Sequence, residues 1–301
     1  MHRALPHHRL TSRPAKTLLI RLLLSRVTHL AVDGFLPLYD RIDRGNVGEE
    51  LPRLRKLVLN VALIAHGSDV RDPDLHMKRY RSSYFNEAEP SWVEALRRQS
   101  LVNRQAALDS NAPLFVSTPD LLADLPTAEW LPLAIDFEAW RCAEPPLTTR
   151  IPTIVHVPSR RKPPIKGTAI IDQVLRRVHE SGRIRYVSPP HLPNASMRSL
   201  IQGADVVVDQ IMSGSYGAAA VEGMAAGRLV VGFVGEDVRT LLPENPPIVD
   251  AEPAVFAEVV ERIADEPEKF AEQASRGPAF AERWHDGRSS AQALASFVGT
   301  G

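Results

Sequence analysis

In the second half of the chain, short apolar runs alternate with segments in which apolar residues recur every three or four positions. The runs lie at residues 153–157, 184–187, 206–208 and 229–234, and the periodic segments at 167–178, 197–201, 217–226 and 255–263. The runs predict buried strands, and the periodic spacing predicts amphipathic helices. Strands and helices in regular alternation predict a parallel sheet with helices on both faces.

The first half repeats this alternation less regularly. Apolar runs at residues 61–65, 114–117 and 130–131 predict strands, and a helical segment at 91–108 separates two of them. The Pro-rich stretch 144–152 marks a linker. We therefore predict an α/β protein with two Rossmann-like domains, a short first domain over residues 1–145 and a second over 151–288.

Composition excludes several classes of protein. The 301 residues are 44% hydrophobic, which is enough for two globular cores. Lys+Arg and Asp+Glu each number 36, so no net charge attracts nucleic acid, and we expect no nucleic-acid partner. The single Cys142 excludes an internal disulfide, and no Cys/His cluster has zinc-ligand spacing. We expect a cytoplasmic protein.

The N-terminal segment is basic and apolar. Residues 1–32 carry six Lys or Arg and no carboxylate, and the leucine-rich run 18–24 is interrupted by Arg21. The run is too short to span a bilayer, and no small-residue cleavage site follows it. We predict a helix over about 14–26 that buries Leu19, Leu22 and Leu23 against a strand at 28–32; peripheral membrane contact is the alternative.

Two loops of the second domain carry candidate chemistry. In open parallel sheets, ligands bind outside the carboxyl ends of strands, where free N–H groups of helix N-termini attract anions. Residues 159–167 include four basic residues and end in Lys166 and Gly167, whereas 209–217 contain Gly214 and Gly217 and precede a helix that bears Glu222. A diphosphate could lie between the loops. The alternatives are a solvated charge run and an ordinary glycine turn.

The residues of these loops resemble those of a known enzyme family. Residues 204–210, the pair Tyr216-Gly217 and residues 221–231 resemble the donor-site segment of GT-B glycosyltransferases of the retaining family 4 type. Arg161 and Lys166 have the spacing of that family's Arg-x4-Lys-Gly loop. Three first-half segments resemble the family in the same order: the His-Gly-Ser-Asp-Val-Arg stretch at 66–71, residues 116–122 and residues 130–132.

The resemblance implies a GT-B fold and a function. The substrates would be a UDP- or GDP-sugar donor and a glycan, glycolipid or small acceptor. Arg161 and Lys166 would neutralise the diphosphate, Gly217 would open the helix whose amides meet the phosphates, Glu222 would accept hydrogen bonds from the ribose, and His66 would reach the donor sugar. Such transferases need no cofactor or metal, and same-face attack gives retention without a protein nucleophile.

The resemblance also implies details of the domain arrangement. A last helix over 289–301 would return towards the first domain. The glycine-rich loop that normally follows the first strand is not recognisable, so we expect a truncated first domain with an open acceptor side. Leu229 stands where the family often has a proline, and Arg228 occupies the position before it.

The remaining expectations concern individual donor-site residues. Gly214 stands eight positions before Glu222, where the family has its first paired glutamate, so Ser213, Ser215 or backbone amides would serve the sugar hydroxyls. Tyr216 is expected either to pack or to stack on a ligand. Asp69 is expected to order the His66 loop through an ion pair with Arg71.

Three functions stay open at this point. The first is an active retaining glycosyltransferase. The second is a GT-B-like protein that binds nucleotide or glycan without transfer, which Gly214 and the short first domain favour. The third is a sugar-nucleotide epimerase, which would need more carboxylates and histidines around the sugar than the motifs supply.

Overall fold

A computed structural model describes residues 13–39, 46–57, 60–158, 161–189 and 193–299. In its first half the strands are β1 (His29–Asp33), β2 (Asn60–Ala65), β3 (Leu114–Val116) and β4 (Glu129–Trp130). The helices are α1 (Arg13–Leu24), α2 (Val47–Arg55), α3 (Pro73–Arg79), α4 (Pro90–Ser110) and α5 (Phe137–Trp140), with 3-10 turns at Tyr84–Glu87 and Pro119–Ala123.

The first sheet is parallel, with strand order β1-β2-β3-β4. Leu63 of β2 pairs with Val32 on one side and with Leu114 on the other. Leu63 and Val116 are fully buried in the core of this half, beneath α2 and α4. Burial on both faces explains why these strands are apolar runs rather than alternating ones.

Helix α1 forms as expected but turns a different face to the protein. Leu24 is buried, and Ile20 packs against the first core. Leu19 is half-buried, whereas Leu22 and Leu23 are 55% and 41% exposed. The prediction that Leu19, Leu22 and Leu23 are buried is therefore wrong, because α1 packs on the first core through the face that carries Ile20 and Leu24.

In the second half the strands are β5 (Thr153–Val155), β6 (Arg185–Val187), β7 (Val206–Val208), β8 (Leu229–Gly232) and β9 (Ile248–Asp250). The helices are α6 (Thr168–Glu180), α7 (Asn194–Gln202), α8 (Ala218–Ala225), α9 (Glu236–Leu241), α10 (Phe256–Asp265), α11 (Ala271–Ser275), α12 (Gly277–His285) and α13 (Arg288–Val298), with a 3-10 turn at Pro267–Phe270.

The second sheet is also parallel, with strand order β6-β5-β7-β8-β9. The direction of winding reverses between β5 and β7, and such a reversal opens a crevice at the carboxyl ends of the two strands. The loops that leave β5 and β7 are the two that carry candidate chemistry in the sequence. Strand β9 escaped prediction because Ile248 and Val249 form a very short apolar run after two prolines.

The two halves share core residues. Tyr84, Phe85, Val93 and Leu96 come from the first half but pack in the core of the second sheet, against residues such as Ile171 and Met212. In the opposite direction, Phe297 of α13 packs on Phe115 of β3, and Ser290 donates a hydrogen bond to the carbonyl of Pro132. The last helix thus lies on the first sheet, while the proposed domain boundaries stay predictions.

Candidate functional site

A cavity of about 610 Å³ separates the carboxyl edges of the two sheets. The first half contributes His66, Gly67 and Thr118 to its wall, and the second contributes Gln210 and Gly217. Strand ends and helix starts from both sheets therefore face one space. Among the described residues that line this cavity there is no Asp or Glu.

Lys166 and Gly217 converge on a carboxylate of the protein itself. Asp209, the first residue after β7, accepts a hydrogen bond from Lys166 Nζ at 2.8 Å and from the Gly217 amide at 2.6 Å. Asp209 is 1% exposed. The loops after β5 and β7 are thus joined by an internal anion. The sequence places Asp209 within a motif but gives no sign of this role.

Glu222 lies on α8, one turn beyond Gly217, and is half-buried. Burial raises the pKa of its carboxyl to about 7; Lys166 opposes this rise and Asp209 adds to it. Lys166, which pairs with Asp209, and Asp209 itself therefore both act on the Glu222 carboxyl. Lys166 and Glu222 follow the lining residues Ile165 and Val221 in the sequence and are not themselves part of the lining.

Arg161 is held away from Lys166. Its guanidinium contacts the carboxylate of Asp172 on α6 and donates to Ser188 Oγ at 3.1 Å. It lines a second cavity, of about 480 Å³, together with Trp92. The neighbouring Ser159 and Arg160 lie outside the described residues. A diphosphate role for Arg161 stays a prediction and would require a different side-chain orientation.

His66 follows β2 and lines the cavity between the sheets. Asp69 accepts hydrogen bonds from the backbone amides of His66 at 2.9 Å and Gly67 at 2.6 Å, so it orders this loop directly. The expected ion pair between Asp69 and Arg71 is wrong, because Arg71 turns to Asp120 instead. His66 Nε2 contacts the carboxylate of Asp33, at the end of β1, a residue that sequence analysis missed.

A buried polar seam joins the two halves. Asp120 Oδ2 accepts from Arg71 Nε at 3.0 Å, and Arg71 also donates to Tyr84 Oη at 3.2 Å. Burial disfavours the charge on Asp120, but Arg71 outweighs it and lowers the pKa of the carboxyl. His76 Nε2 donates to the Ser213 carbonyl at 3.0 Å, across the seam, while its Nδ1 accepts from Ser83 at 2.8 Å.

Gly214 touches the first half rather than the cavity. It has φ +69°, and a Cβ at this position would overlap the Tyr80 ring. Tyr80 also fills the space beside Gly235, and its hydroxyl donates to Asp237 at 2.9 Å. The sequence position at which the family has a glutamate is therefore closed by a tyrosine, a relation that no local pattern reveals.

Tyr216 and Ser215 are buried. Tyr216 packs edge-on against Phe280 and His285 and reaches the cavity wall. The Ser215 carbonyl accepts hydrogen bonds from Gln210 and Ser213, which fixes the loop, while its own side chain is 1% exposed. For Tyr216, packing is thus observed, and a nucleotide-binding role for either residue stays a prediction.

Within the described ranges, no group of three or more His, Cys, Asp or Glu residues could hold a metal ion. No helix in the same ranges has the length and apolar character needed to cross a membrane.

Comparison with known proteins gives structural matches only. No protein-family model matches the chain, and no curated protein matches its sequence. HepE from Anabaena, solved in complex with UDP-glucose, is 12% identical over 88% of this chain and 84% of that chain, with a TM-score of 0.58.

Two further solved glycosyltransferases match. Sucrose-phosphate synthase from Thermosynechococcus elongatus is 14% identical over 99% of this chain and 80% of that chain, with a TM-score of 0.63. WaaG, a glycosyltransferase of lipopolysaccharide biosynthesis, is 12% identical over 96% of both chains, with a TM-score of 0.54. Together with the two parallel sheets, these matches confirm the predicted α/β fold of the GT-B type.

The contact between Gly214 and Tyr80 predicts a large penalty for Gly214→Ala. The new Cβ combines a left-handed backbone with overlap of the Tyr80 ring, so we expect a loss of about 3 kcal/mol or more in unfolding free energy. In a Tyr80→Ala background the same change should cost only about 1 to 2 kcal/mol. Urea denaturation measures both values.

Gly182→Ala is the matched control. Gly182 has φ +75°, and no atom lies within 4 Å of the place that an alanine methyl group would take, so the change isolates the backbone term. If Gly214→Ala costs no more than Gly182→Ala, or if the Tyr80 background does not reduce its cost, Tyr80 does not close this position.

The buried His76 leads us to expect that the stability of the seam depends on pH. Burial, followed by the charge of Arg71, lowers the pKa of His76 to about 4 from about 6.5. His76 binds a proton more readily in the unfolded chain than in the folded protein. Its contribution to the free energy of unfolding is therefore complete above pH 6.5 and is lost as the pH falls towards 4. The advantage of wild type over His76→Gln should shrink by about 2 kcal/mol between pH 7.5 and 5.

The wild-type-minus-variant difference isolates this effect from Glu222 and Asp124. Their carboxyl pKa values are raised to about 7 and about 6, so these groups change stability with the opposite sign. Urea denaturation at both pH values gives the difference. A constant difference between wild type and variant would contradict the assignment.

Proposed function

We propose that this chain is a retaining glycosyltransferase that moves a sugar from a UDP- or GDP-sugar to a glycan or glycolipid, without a metal ion. The observation that carries the proposal is the cluster of Lys166, the start of α8 and Glu222 at the strand-order reversal. Their sequence neighbours Ile165, Gly217 and Val221 line the same cavity as His66. A cation, free amides and a carboxylate are the groups that a nucleoside diphosphate needs.

The phosphates would bind at the start of α8. The amides of Ala218 and Ala219 belong to the first turn and have no intrahelical partner, whereas the Gly217 amide is occupied by Asp209. Lys166 Nζ can bind a phosphate oxygen while it stays beside Asp209, because an ammonium group has three donors. The lysine and the amides would then stabilise the negative charge that develops on the leaving diphosphate.

Glu222 would bind the ribose. Glu222 lies about one helical turn after the amides of Ala218 and Ala219, to which the phosphates would bind. HepE was solved with UDP-glucose, which supports a uridine nucleotide as the first donor to test.

A second candidate is a protein that binds nucleotide-sugar without transferring it. Tyr80 closes the position of Gly214, so no side chain from that position can hold a sugar hydroxyl. An epimerase is less well supported, because the described lining residues include no carboxylate. Measuring UDP release from UDP-glucose in the presence of glycan acceptors separates transfer from binding alone.

A glycolipid acceptor would bring the protein to a membrane surface from the cytoplasm. The exposed Leu18, Leu22 and Leu23 of α1, in a segment without carboxylates, support peripheral contact. Co-sedimentation with phosphatidylglycerol vesicles should fall at least about threefold in Leu22→Ser/Leu23→Ser. The matched control is Leu101→Ser/Leu108→Ser on α4, where both leucines are also exposed. Equal binding by the two variants would exclude α1 as the contact.

Lys166→Ala should weaken nucleoside diphosphate binding. Loss of one charge-assisted contact, worth about 1.5 to 3 kcal/mol, corresponds to a decrease of about one to two orders of magnitude in affinity. Glu222→Gln should weaken uridine, UMP and UDP alike, because the ribose contact does not depend on phosphate number. Calorimetry with this series, and with the guanosine series, measures both effects.

Lys269→Ala is the matched control for the loss of a positive charge. The exposed side chain of Lys269 pairs with Glu266 at the 3-10 turn Pro267–Phe270, which lies outside the loops after β5 and β7. Unchanged UDP affinity in a folded Lys166→Ala variant would show that the donor site lies elsewhere.

A further inference from the structure

The second cavity, of about 480 Å³, also has walls from both halves, and it shares no lining residue with the cavity between the sheet edges. One wall is the segment that leads into α4 and carries Glu87, Glu89 and Trp92. The other wall is formed by the loop after β5 and the start of α6, and it includes Lys162. A cavity of this volume is of the size that binds small organic ligands.

The backbone around the second cavity is held in place without a ligand. The Tyr84 amide donates to the carbonyl of Met212, a lining residue, at 3.3 Å, which joins the two halves beside the cavity. Gly167 has φ +75°, and a Cβ at this position would overlap the side chains of Ile211 and Met212, so the start of α6 lies in close contact with the loop after β7. Such preorganisation lowers the entropic cost of binding.

Trp92 supplies a flat apolar surface. Its ring stacks on that of Phe85, with a centroid distance of 5.8 Å and an interplanar angle of 29°, and Phe85 is buried in the second core. The half-buried indole also lines the cavity. An indole fixed in this way suits the apolar face of a sugar ring, whose C–H groups pack against an aromatic system.

Charged groups of both signs line this cavity without protein partners. Within the described ranges, the carboxylates of Glu87 and Glu89, the Lys162 ammonium and the Trp92 indole N–H form no hydrogen bond or ion pair. Glu89 is the N-cap residue of α4, yet its side chain caps no amide. An anion would be repelled by the carboxylates of one wall, and a cation by the basic groups of the other.

A neutral ligand that is rich in hydroxyl groups satisfies both walls. Each hydroxyl has one hydrogen to donate to a carboxylate and lone pairs that accept from an ammonium or an indole N–H. Together with the apolar surface of Trp92, these groups match the chemistry of a sugar ring.

The cavity is distinct from the groups assigned to the donor. Lys166 and Glu222 do not line it. Arg161 does line it, but its guanidinium contacts the Asp172 carboxylate. Among the described residues of the lining, Lys162 is therefore the cation that is available to a sugar.

We propose that the second cavity is a carbohydrate-binding site, separate from the donor site, that holds a neutral sugar ring against Trp92. Glu87 and Glu89 accept hydrogen bonds from its hydroxyls, and Lys162 and the Trp92 indole N–H donate to them. Binding requires neither a nucleotide nor transfer, so this site goes beyond the proposed function.

The indole N–H signals test the site directly, because the four tryptophans report on different places. Trp92 lines the second cavity and Trp130 the first, whereas Trp140 and Trp284 line neither. ¹H–¹⁵N spectra of the full-length chain, assigned with one Trp→Phe variant for each position, are recorded with maltose, cellobiose, lactose, chitobiose and mannobiose. Uridine and inorganic phosphate serve as comparison ligands. We expect a disaccharide to shift the Trp92 signal and to leave Trp140 and Trp284 in place.

The same spectra contain the results that would overturn the site. If no disaccharide shifts the Trp92 signal, the proposal is wrong; a shift of Trp130 would then assign the sugar to the first cavity, and a response of Trp92 to uridine or phosphate would assign the second cavity to a nucleoside or an anion. If saturating UDP abolishes the disaccharide shift of Trp92, the cavity is part of the donor site, and the proposal is also wrong.

Glu89→Gln and Lys162→Met test the polar contacts. Titration of the Trp92 signal should show that each variant binds the disaccharide about threefold to tenfold more weakly than wild type, because one charge-assisted hydrogen bond is lost. Glu258→Gln, an exposed position on α10 outside both cavities, is the matched control and should bind with unchanged affinity. Wild-type affinity in both Glu89→Gln and Lys162→Met would contradict the assignment of these groups.

Calorimetry with UDP tests the proposed function separately. A chain that binds a disaccharide at Trp92 but no nucleotide would keep this site and lose the donor site. A chain that binds UDP while no disaccharide shifts Trp92 would keep the donor site and lose this one.

Discussion

The buried ion pair of Arg71 and Asp120 constrains the whole molecule. Both side chains are almost fully buried, and neither charge could stay there without the other, because removing one partner of such a pair typically costs several kcal/mol. Arg71 belongs to the loop of His66, and it also binds Tyr84, which packs in the core of the second sheet. The position of the cavity wall is therefore set by an electrostatic requirement as well as by apolar packing.

The seam also explains how the edges of two separate sheets come to face one cavity. The segment after α3 leaves the first half, places Tyr80 between Gly214 and Gly235, and inserts Tyr84 and Phe85 into the second core. The loop 209–217 is thereby held from both sides: Asp209 fixes its base, and the first half fixes its tip through His76 and Ser213. A rigid loop at this place favours preorganised binding of an anion at the start of α8.

The sequence was sufficient to predict the fold class, because buried parallel strands and amphipathic helices leave strong local patterns. The runs at 206–208 and 229–234 became β7 and β8, and the Pro-rich stretch did fall between the two sheets. The sequence was insufficient to predict which partners the charged residues contact. The spacing of Arg161 and Lys166 does not reveal that Asp172 lies beside the first and Asp209 beside the second, because these contacts depend on how helices and loops meet in space. The exposure of Leu22 and Leu23 likewise depends on which face of α1 finds a neighbour.

Gly214 departs from the family pattern, which has a glutamate at this position. The contact between Gly214 and Tyr80 bears on whether this departure means that the function has been lost. A degenerating site would leave an unfilled space where a large side chain had been, since relaxation around a deleted side chain is only partial. Here the space is filled by a ring whose hydroxyl is bonded to Asp237 and whose neighbour Arg79 binds the same carboxylate. The glycine is required by the tyrosine, and the tyrosine is held by Asp237 of the second half and by Arg79 of the first. Gly214 is therefore better understood as part of a different, fully packed seam than as the trace of a missing catalytic group. The cavity beside it is lined by His66 and Gly217, and Lys166 follows its lining residue Ile165 in the sequence.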